Sequence, residues 1–292
     1  MSDDLFKMWT QMDAADKADK HEEDNRATYV RAPFSWAGCK FTSLDRLLAE
    51  IPYSNKYIEV FGGSGTLLLN RPESKIEVFN DRYSGVTSFY RCLRDKDTLQ
   101  KLREYLELVP YSREEFYYCK HNWGDETDTV IRAGMWYSMV RMSFSQLGRY
   151  FGRSVNSASL TTKRLTSELP NFDVIQDRLK YVTIENLDWQ QCMKDYDSSD
   201  AVFYLDPPYL NSASVYDCEF GETDHIMLCE QIFKTKGFVG LSGYKNEIYD
   251  RYDWDDIAHW DVPIRAKGVT HATGCEKRGR ADEYLFIKEA RL

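Results

Sequence analysis

The stretch KYIEVFGGSGTLLLN (56–70) passes from an alternating strand through a glycine turn into the opening of a helix. This order restricts the chain to folds in which a ligand approaches the end of a strand. Glycines at such a turn let the backbone bend tightly and come close to a bound group, while the free N–H groups of the following helix face it. The Gly-Lys-Ser/Thr of a phosphate loop and the full GxGxxG of a dinucleotide site are both missing, so the unit alone does not name its ligand. A second strand over 75–79 ends in Asn80-Asp81, and Asp81 falls 19 residues after Gly62. An acid near that offset, at the tip of the second strand, suits both hydroxyls of a ribose; the plain alternative is a cap on a helix beginning near Ser84.

Further along, the apolar run AVFYL (201–205) stops in Asp206-Pro207-Pro208-Tyr209. Proline cannot continue a ladder and has no N–H to donate, so this strand leaves a carboxylate and a carbonyl at its tip with an aromatic ring beside them. A strand-ending turn with a surface tyrosine is the structural alternative. Other strands are expected over 181–186, 238–242, 257–262 and 283–288, with helices near 42–51, over 129–142 and 224–236, and from Asn246 onward. Residues 84–140 read as helical, and Ser112-Arg113-Glu114-Glu115 resembles a capping box. The alternation predicts an α/β fold with a mixed, mostly parallel central sheet.

Net charge is −9, which argues against indiscriminate coating of nucleic acid, yet the charge is unevenly spread. Residues 129–167 contain Arg132, Arg141, Arg149, Arg153, Lys163 and Arg164 and no acid, so this window carries +6 and the remainder −15. Within it, RMSFSQLGRYFGR (141–153) alternates bases with aromatic and small residues. Arginines can grip phosphates or fork onto guanine, and aromatics can wedge between stacked bases; a solvated basic loop is the alternative. Residues 1–28, with eight acids against four bases, read as a solvated arm, and the basic stretch 265–280 reads as a loop able to touch a substrate backbone.

The seven cysteines are scattered and never spaced as CxxC, and the five histidines form no ligand pair. Neither a disulfide framework nor a metal site is implied, and a reducing cytoplasm is expected. No apolar run approaches the roughly 18 residues of a membrane span, and the N-terminus is unlike a signal peptide. The expectation is a soluble intracellular protein.

With these pieces in order, the chain over roughly 31–290 resembles the Dam-type (alpha group, D12 class) DNA adenine methyltransferases. The matching stretches are PFSWAGCK (33–40), EVFGGSG (59–65), Asp81, RMSFSQLGRY (141–150), LDW (187–189), DPPY (206–209), LSGY (241–244) and EYLFIK (283–288). The resemblance implies a Rossmann-like methyltransferase fold, with 29–83 and 181–292 forming the catalytic domain, 84–180 a helical and hairpin insertion that reads the target, and 1–28 the acidic arm. It implies S-adenosylmethionine as cofactor, held by Trp36, Ala37, Lys40, Phe61, Gly62, Gly63, Ser64, Gly65, Asp81, Asp188, Trp189 and Asp206. Asp206, Pro207 and Tyr209 would form the target pocket. Arg141, Phe144, Ser145, Leu147, Arg149 and Arg153 would meet double-stranded DNA, with Phe144 as the wedge. Departures are Cys39 for a second glycine, Val60 for a proline, and Ser145-Gln146 for a common Asn-Gly; the last leaves the recognised sequence open, with GATC the family's usual one.

An exocyclic amine is a poor nucleophile because its lone pair is delocalised into the ring. The expected mechanism has the Asp206 carboxylate and Pro207 carbonyl accept its two protons while Tyr209 stacks on a flipped-out adenine. No cysteine follows a proline, so carbon-5 cytosine chemistry is not expected. The alternatives are an RNA or protein-amide methyltransferase, a DNA-binding module without catalysis and, last, a dehydrogenase. A monomer is expected, with a dimer as the alternative, in a bacterial or phage-infected cell, serving restriction-modification or phage defence.

Overall fold

A computed structural model describes residues 29–36, 38–153, 163, 165–210, 220–263 and 280–291. From Ala32 onward they belong to one compact unit. Seven strands form its sheet: β1 (Lys56–Glu59), β2 (Ile76–Asn80), β3 (Val182–Glu185), β4 (Ala201–Leu205), β5 (Phe238–Gly243), β6 (Asp256–Pro263) and β7 (Arg280–Lys288), in the order β3-β2-β1-β4-β5-β7-β6. The first five are parallel, while β7 runs antiparallel to both neighbours, with Gly240 opposite Ile287 and Ala258 opposite Leu285. The mostly parallel α/β sheet expected from the alternating pattern is therefore present.

Every residue of β4 and β5 is buried, as continuous apolar runs must be when helices cover both faces of a sheet. The covering elements are α1 (Leu44–Glu50), α2 (Thr66–Asn70), α3 (Ser84–Arg94), α4 (Lys96–Leu108), α5 (Arg113–Asn122), α6 (Thr129–Met142), α7 (Phe172–Leu179), α8 (Trp189–Tyr196) and α9 (Glu222–Ile232). One face is filled by Ile58, Val78, Cys192, Phe203, Leu228, Val239 and Phe286. Helix α6 starts at Asp128, whose side chain accepts from the Val130 and Ile131 N–H groups, and from Ala133 to Met142 it has no exposed position. A helix buried all round must be central to its neighbours. It packs against α3 at Gly85, where a Cβ would stand 2.2 Å from Trp136 Nε1, so only glycine admits that contact.

The helix expected over 224–236 runs Glu222–Ile232 and the strand expected over 283–288 begins at Arg280, and two further boundaries differ for a visible reason. The helix anticipated from Asn246 is only a three-residue 3-10 turn, Tyr249–Arg251. The Tyr249 carbonyl, needed to continue a helix, instead accepts from Tyr252 N–H and Trp254 Nε1. The first strand stops at Glu59 rather than 61, because the chain then turns toward two partners, Val60 N–H donating to Tyr204 O and Gly62 N–H to Asn80 O. The acidic arm 1–28 lies outside the described residues, as does the anticipated loop over 265–280 except for Arg280, which opens β7.

From β1 the chain moves outward to β2 and β3, then returns to place β4 on the other side of β1. The carboxyl ends of β1 and β4 thus diverge at the point where strand order reverses, the location at which open α/β sheets bind ligands. The glycine turn and Asp206 follow those two strand ends.

Candidate functional site

At this switch point lies a cavity of about 330 Å³, within the size range of small-molecule sites. Of the twelve residues expected at the cofactor, Trp36, Lys40, Phe61, Gly62, Gly63, Ser64, Asp81, Trp189 and Asp206 line it. Gly65 does not; it adopts φ +62° and starts α2 behind the wall. Asp188 is not part of the wall; it caps α8 by accepting from the Gln190 N–H and pairs at 3.2 Å with Arg82, which does line the cavity. Ala37 lies outside the described residues.

The glycine turn is shaped by its neighbours. A Cβ at Gly62 would stand 2.3 Å from the Phe79 ring, and one at Gly63, which adopts φ +50°, would stand 2.9 Å from Trp36. Asp81 accepts from Gly63 N–H at 2.8 Å and from Tyr83 N–H at 2.7 Å, so it supports the turn across the β1–β2 gap. Burial pushes its carboxyl up to about 6 against those two hydrogen bonds. A buried, hydrogen-bonded carboxylate at the tip of β2 can accept hydroxyl protons from a ligand in the cavity.

At the end of β4, Asp206 belongs to a dense polar cluster. Lys40 Nζ lies 2.6 Å from Asp206 Oδ2 and 3.4 Å from Glu283 Oε1, and donates to Gly38 O at 2.8 Å. Tyr209 Oη donates to Glu283 Oε1 at 2.7 Å, and Ser43 Oγ to Glu283 Oε2 at 2.6 Å. Desolvation raises the Asp206 carboxyl to about 6, opposed by Lys40. Glu283 is also desolvated, but Lys40 and the donors Ser43 and Tyr209 outweigh burial and hold it below the usual carboxylate range. Lys40 is held above its ordinary value because its two acids more than offset its burial. Two carboxylates thus share one cation, and the strand-end acid keeps the weaker hold on its charge.

Tyr209 faces a second, smaller pocket of about 70 Å³ with Gly243, Tyr244, Lys245 and Asn246, and its ring meets Tyr244 edge-on with centroids 4.8 Å apart. Asp206 lines the large cavity and Tyr209 the small one, so the four-residue turn separates the two.

Residues 143–151 form the hairpin-like segment expected from sequence, with Ser143 bridged to Phe151 and Phe144 N–H donating to Tyr150 O at 2.7 Å. Phe144 and Tyr150 are exposed, and Leu147 reaches the wall of the large cavity. Arg149 offers its carbonyl to Lys120 Nζ at 2.8 Å, and Arg153 is exposed. Arg141, expected among the DNA-facing residues, is buried, donating to Gln146 Oε1 at 3.2 Å and Ser167 Oγ at 2.7 Å. In this structure its guanidinium braces the hairpin from beneath.

Sequence reading passed over Glu283, Ser43, Glu59 and Tyr244. Glu283 carries a retrospective signal, an acid opening an otherwise apolar terminal strand, whereas Ser43 has none. Glu59 is buried between Leu68 N–H and Tyr57 Oη at 2.9 and 3.2 Å, and desolvation raises its carboxyl to about 8.

A model of the family described as D12 class N6 adenine-specific DNA methyltransferase matches residues 36–261. The chain is 27% identical over 122 residues to the DNA adenine methylase of Escherichia coli (strain K12), covering 41% of this chain and 44% of that protein. It is 28% identical over 122 residues to the DNA adenine methylase of Salmonella typhi, with the same coverage. Against the DNA N-6-adenine-methyltransferase of Escherichia phage P1 it is 28% identical over 127 residues, 42% of this chain and 17% of that one. The chain spans less than half of the length of these curated relatives.

Proposed function

The chain belongs to the D12 class N6 adenine-specific DNA methyltransferase family, and from that premise we propose that it transfers a methyl group from S-adenosylmethionine to the exocyclic amino group of an adenine turned out of duplex DNA. The observation that carries this reading is the position of the DPPY turn between two pockets, with Asp206 on the large cavity and Tyr209 on the small one.

The large cavity suits the cofactor. Its glycine floor at Gly62 and Gly63 leaves no room for a Cβ, its aromatic walls Trp36, Phe61, Trp189 and Phe220 suit an adenine face and a thioether chain, and Asp81 suits the ribose hydroxyls. Trp36 and Lys40 would flank the amino-acid end. When bound, S-adenosylmethionine supplies a methyl group made electrophilic by its sulfonium.

The protein's own residues act on the amine. Ionised Asp206 and the Pro207 carbonyl accept hydrogen bonds from its two N–H groups, localising the lone pair on nitrogen and orienting it toward the large cavity; the one surplus proton left on the methylated nitrogen passes to the Asp206 carboxylate and on to solvent. Tyr209, its hydroxyl fixed by Glu283, presents a ring face to the base, with Tyr244 as a second aromatic wall. Lys40 must relinquish Asp206 when the amine arrives, and Glu283 is the carboxylate beside it able to keep that charge compensated. Phe144, exposed at the hairpin tip, would fill the gap left in the duplex, with Arg149, Arg153 and Leu147 beside it.

The test is to incubate the protein with tritiated S-adenosylmethionine and unmethylated duplex DNA, RNA or a protein mixture, and to digest the labelled product to its monomers. Label in N6-methyladenine from DNA, lost in Asp206→Ala, is expected. Label only in RNA or a protein amide, or undiminished transfer by the variant, overturns the assignment.

A further inference from the structure

Gln146 is the only non-glycine residue with positive φ among the described residues, at +55°. That conformation strains any side chain with a Cβ and is ordinarily left to glycine. Here the side chain has a use. Its Oε1 accepts from the Ser35 backbone N–H at 3.0 Å and from Arg141 Nη1 at 3.2 Å, which occupies both lone pairs of the amide oxygen.

These two hydrogen bonds join separate parts of the site. Ser35 immediately precedes Trp36, a wall of the large cavity that packs on Gly63. Its segment is anchored by Phe34, buried among Phe89, Tyr90 and Trp136, and by Tyr137 Oη donating to Pro33 O at 3.1 Å. On the other side, Gln146 sits between Phe144 and Leu147 in the hairpin, whose turn is held by Ser143 Oγ, donating to Val140 O and accepting from Gly148 N–H. Arg141 continues the connection to Ser167 at 2.7 Å. One hydrogen-bonded amide therefore joins the Trp36 segment to the hairpin, beside Leu147, which touches the same cavity.

We propose that Gln146 is a positioning residue that couples cofactor binding to DNA binding, by tying the hairpin that bears Phe144 and Arg149 to the loop that walls the cofactor cavity. This rests on reading the cavity as the S-adenosylmethionine site and the hairpin as the DNA reader. Linkage makes the coupling reciprocal: each ligand tightens the other by the same factor.

The experiment measures the affinity of the full chain for sinefungin, an unreactive S-adenosylmethionine analogue, by tryptophan fluorescence with and without saturating unmethylated plasmid DNA. The parent is expected to bind sinefungin at least about fivefold more tightly with DNA. Gln146→Gly suits the positive φ, which offsets part of the cost of removing the acceptor of Ser35 N–H and Arg141; its DNA-free affinity should stay within about twofold of the parent, yet the enhancement should fall below twofold. Gln146→Leu, of similar size and without an acceptor, should behave likewise, and Gln146→Glu, which keeps the acceptor, should retain the enhancement. Parent-like enhancement in both the Gly and Leu variants, or no enhancement in a parent that binds both ligands, overturns the coupling. A parent that binds neither sinefungin nor DNA overturns the underlying reading and this one with it.

Discussion

Lys40 and Asp206, which meet at 2.6 Å beneath the end of β4, lie 166 positions apart in the sequence and place a buried cation against the acid that the proposed mechanism uses to receive the target amine. Glu283 stands 3.4 Å from the same ammonium on antiparallel β7. Two carboxylates thus share one ammonium, and under the proposed mechanism Glu283 would hold Lys40 once Asp206 receives the amine.

Activity should depend on Asp206 being ionised. Its carboxyl is raised to about 6, chiefly by desolvation, with Lys40 and Tyr209 opposing and Glu283 adding to the rise. Below that value the group is protonated and cannot accept from the amine, so kcat/KM for DNA, which reports the free enzyme, should fall as pH drops through about 6. Lys40→Gln removes the main opposing charge, so the acid limb should move to higher pH as well as turnover dropping. A limb that stays in place, or moves down, would refute the assignment of Asp206 as the titrating acceptor.

Glu283 should matter for turnover more than for cofactor affinity. Glu283→Gln keeps the shape but weakens the hold on Tyr209 and Lys40, and loss of orientation at a reacting group costs on the order of 10- to 100-fold in kcat. Cofactor affinity measured by calorimetry should remain within about threefold, since such a group positions the reaction rather than binding uniformly. A large loss of affinity with unchanged kcat would assign Glu283 to the cofactor site instead.

Glu59 should make the ligand-free protein less stable at alkaline pH. Its carboxyl is raised by burial from 4.5 to about 8, so the folded state binds a proton that the unfolded chain releases, and stability falls as pH rises toward and through 8. Between pH 6.5 and pH 8 the loss should be about 1–2 kcal/mol. Chemical denaturation at the two pH values reads it directly. Glu59→Gln should flatten the difference, and an equal slope in the variant would place its origin elsewhere.

Phe144→Ala should reduce base extrusion while leaving the cofactor cavity untouched, because the side chain is exposed at the hairpin tip and absent from the cavity wall. With 2-aminopurine at the target position, the fluorescence rise on binding should shrink severalfold, as removing an intercalating wedge leaves unstacking uncompensated. An unchanged rise would assign the wedge to another side chain, with the neighbouring Tyr150 the next to replace.

Most of the sheet was legible because its signals are local. The strand ends at Asn80 and Leu205, the glycine turn and the cap at Ser112 depend on residues within a few positions of one another. So does the 3.6-residue periodicity of the helices. The turn at Asn246 misled because a side chain five residues beyond Tyr249, the Trp254 indole, takes the carbonyl that a helix would use. Arg141 misled for a similar reason: its charge reads as surface, and only the packing of Ser167 and Gln146 around it turns it inward.

By itself, then, the order of residues determined the α/β class, the family resemblance and the two strand-end motifs, since each is carried by contiguous residues whose backbone preferences act locally. Tertiary structure alone decided which polar groups meet. Ser43, Lys40, Asp206, Tyr209 and Glu283 are drawn from three separate stretches, and the shifted ionisation of Lys40, Asp206, Tyr209 and Glu283 arises from desolvation and from charges brought close by folding. The same holds for Gln146, whose hydrogen bond to Ser35 spans 111 positions: no local pattern encodes a contact whose partner is chosen by the packing of the helices between them.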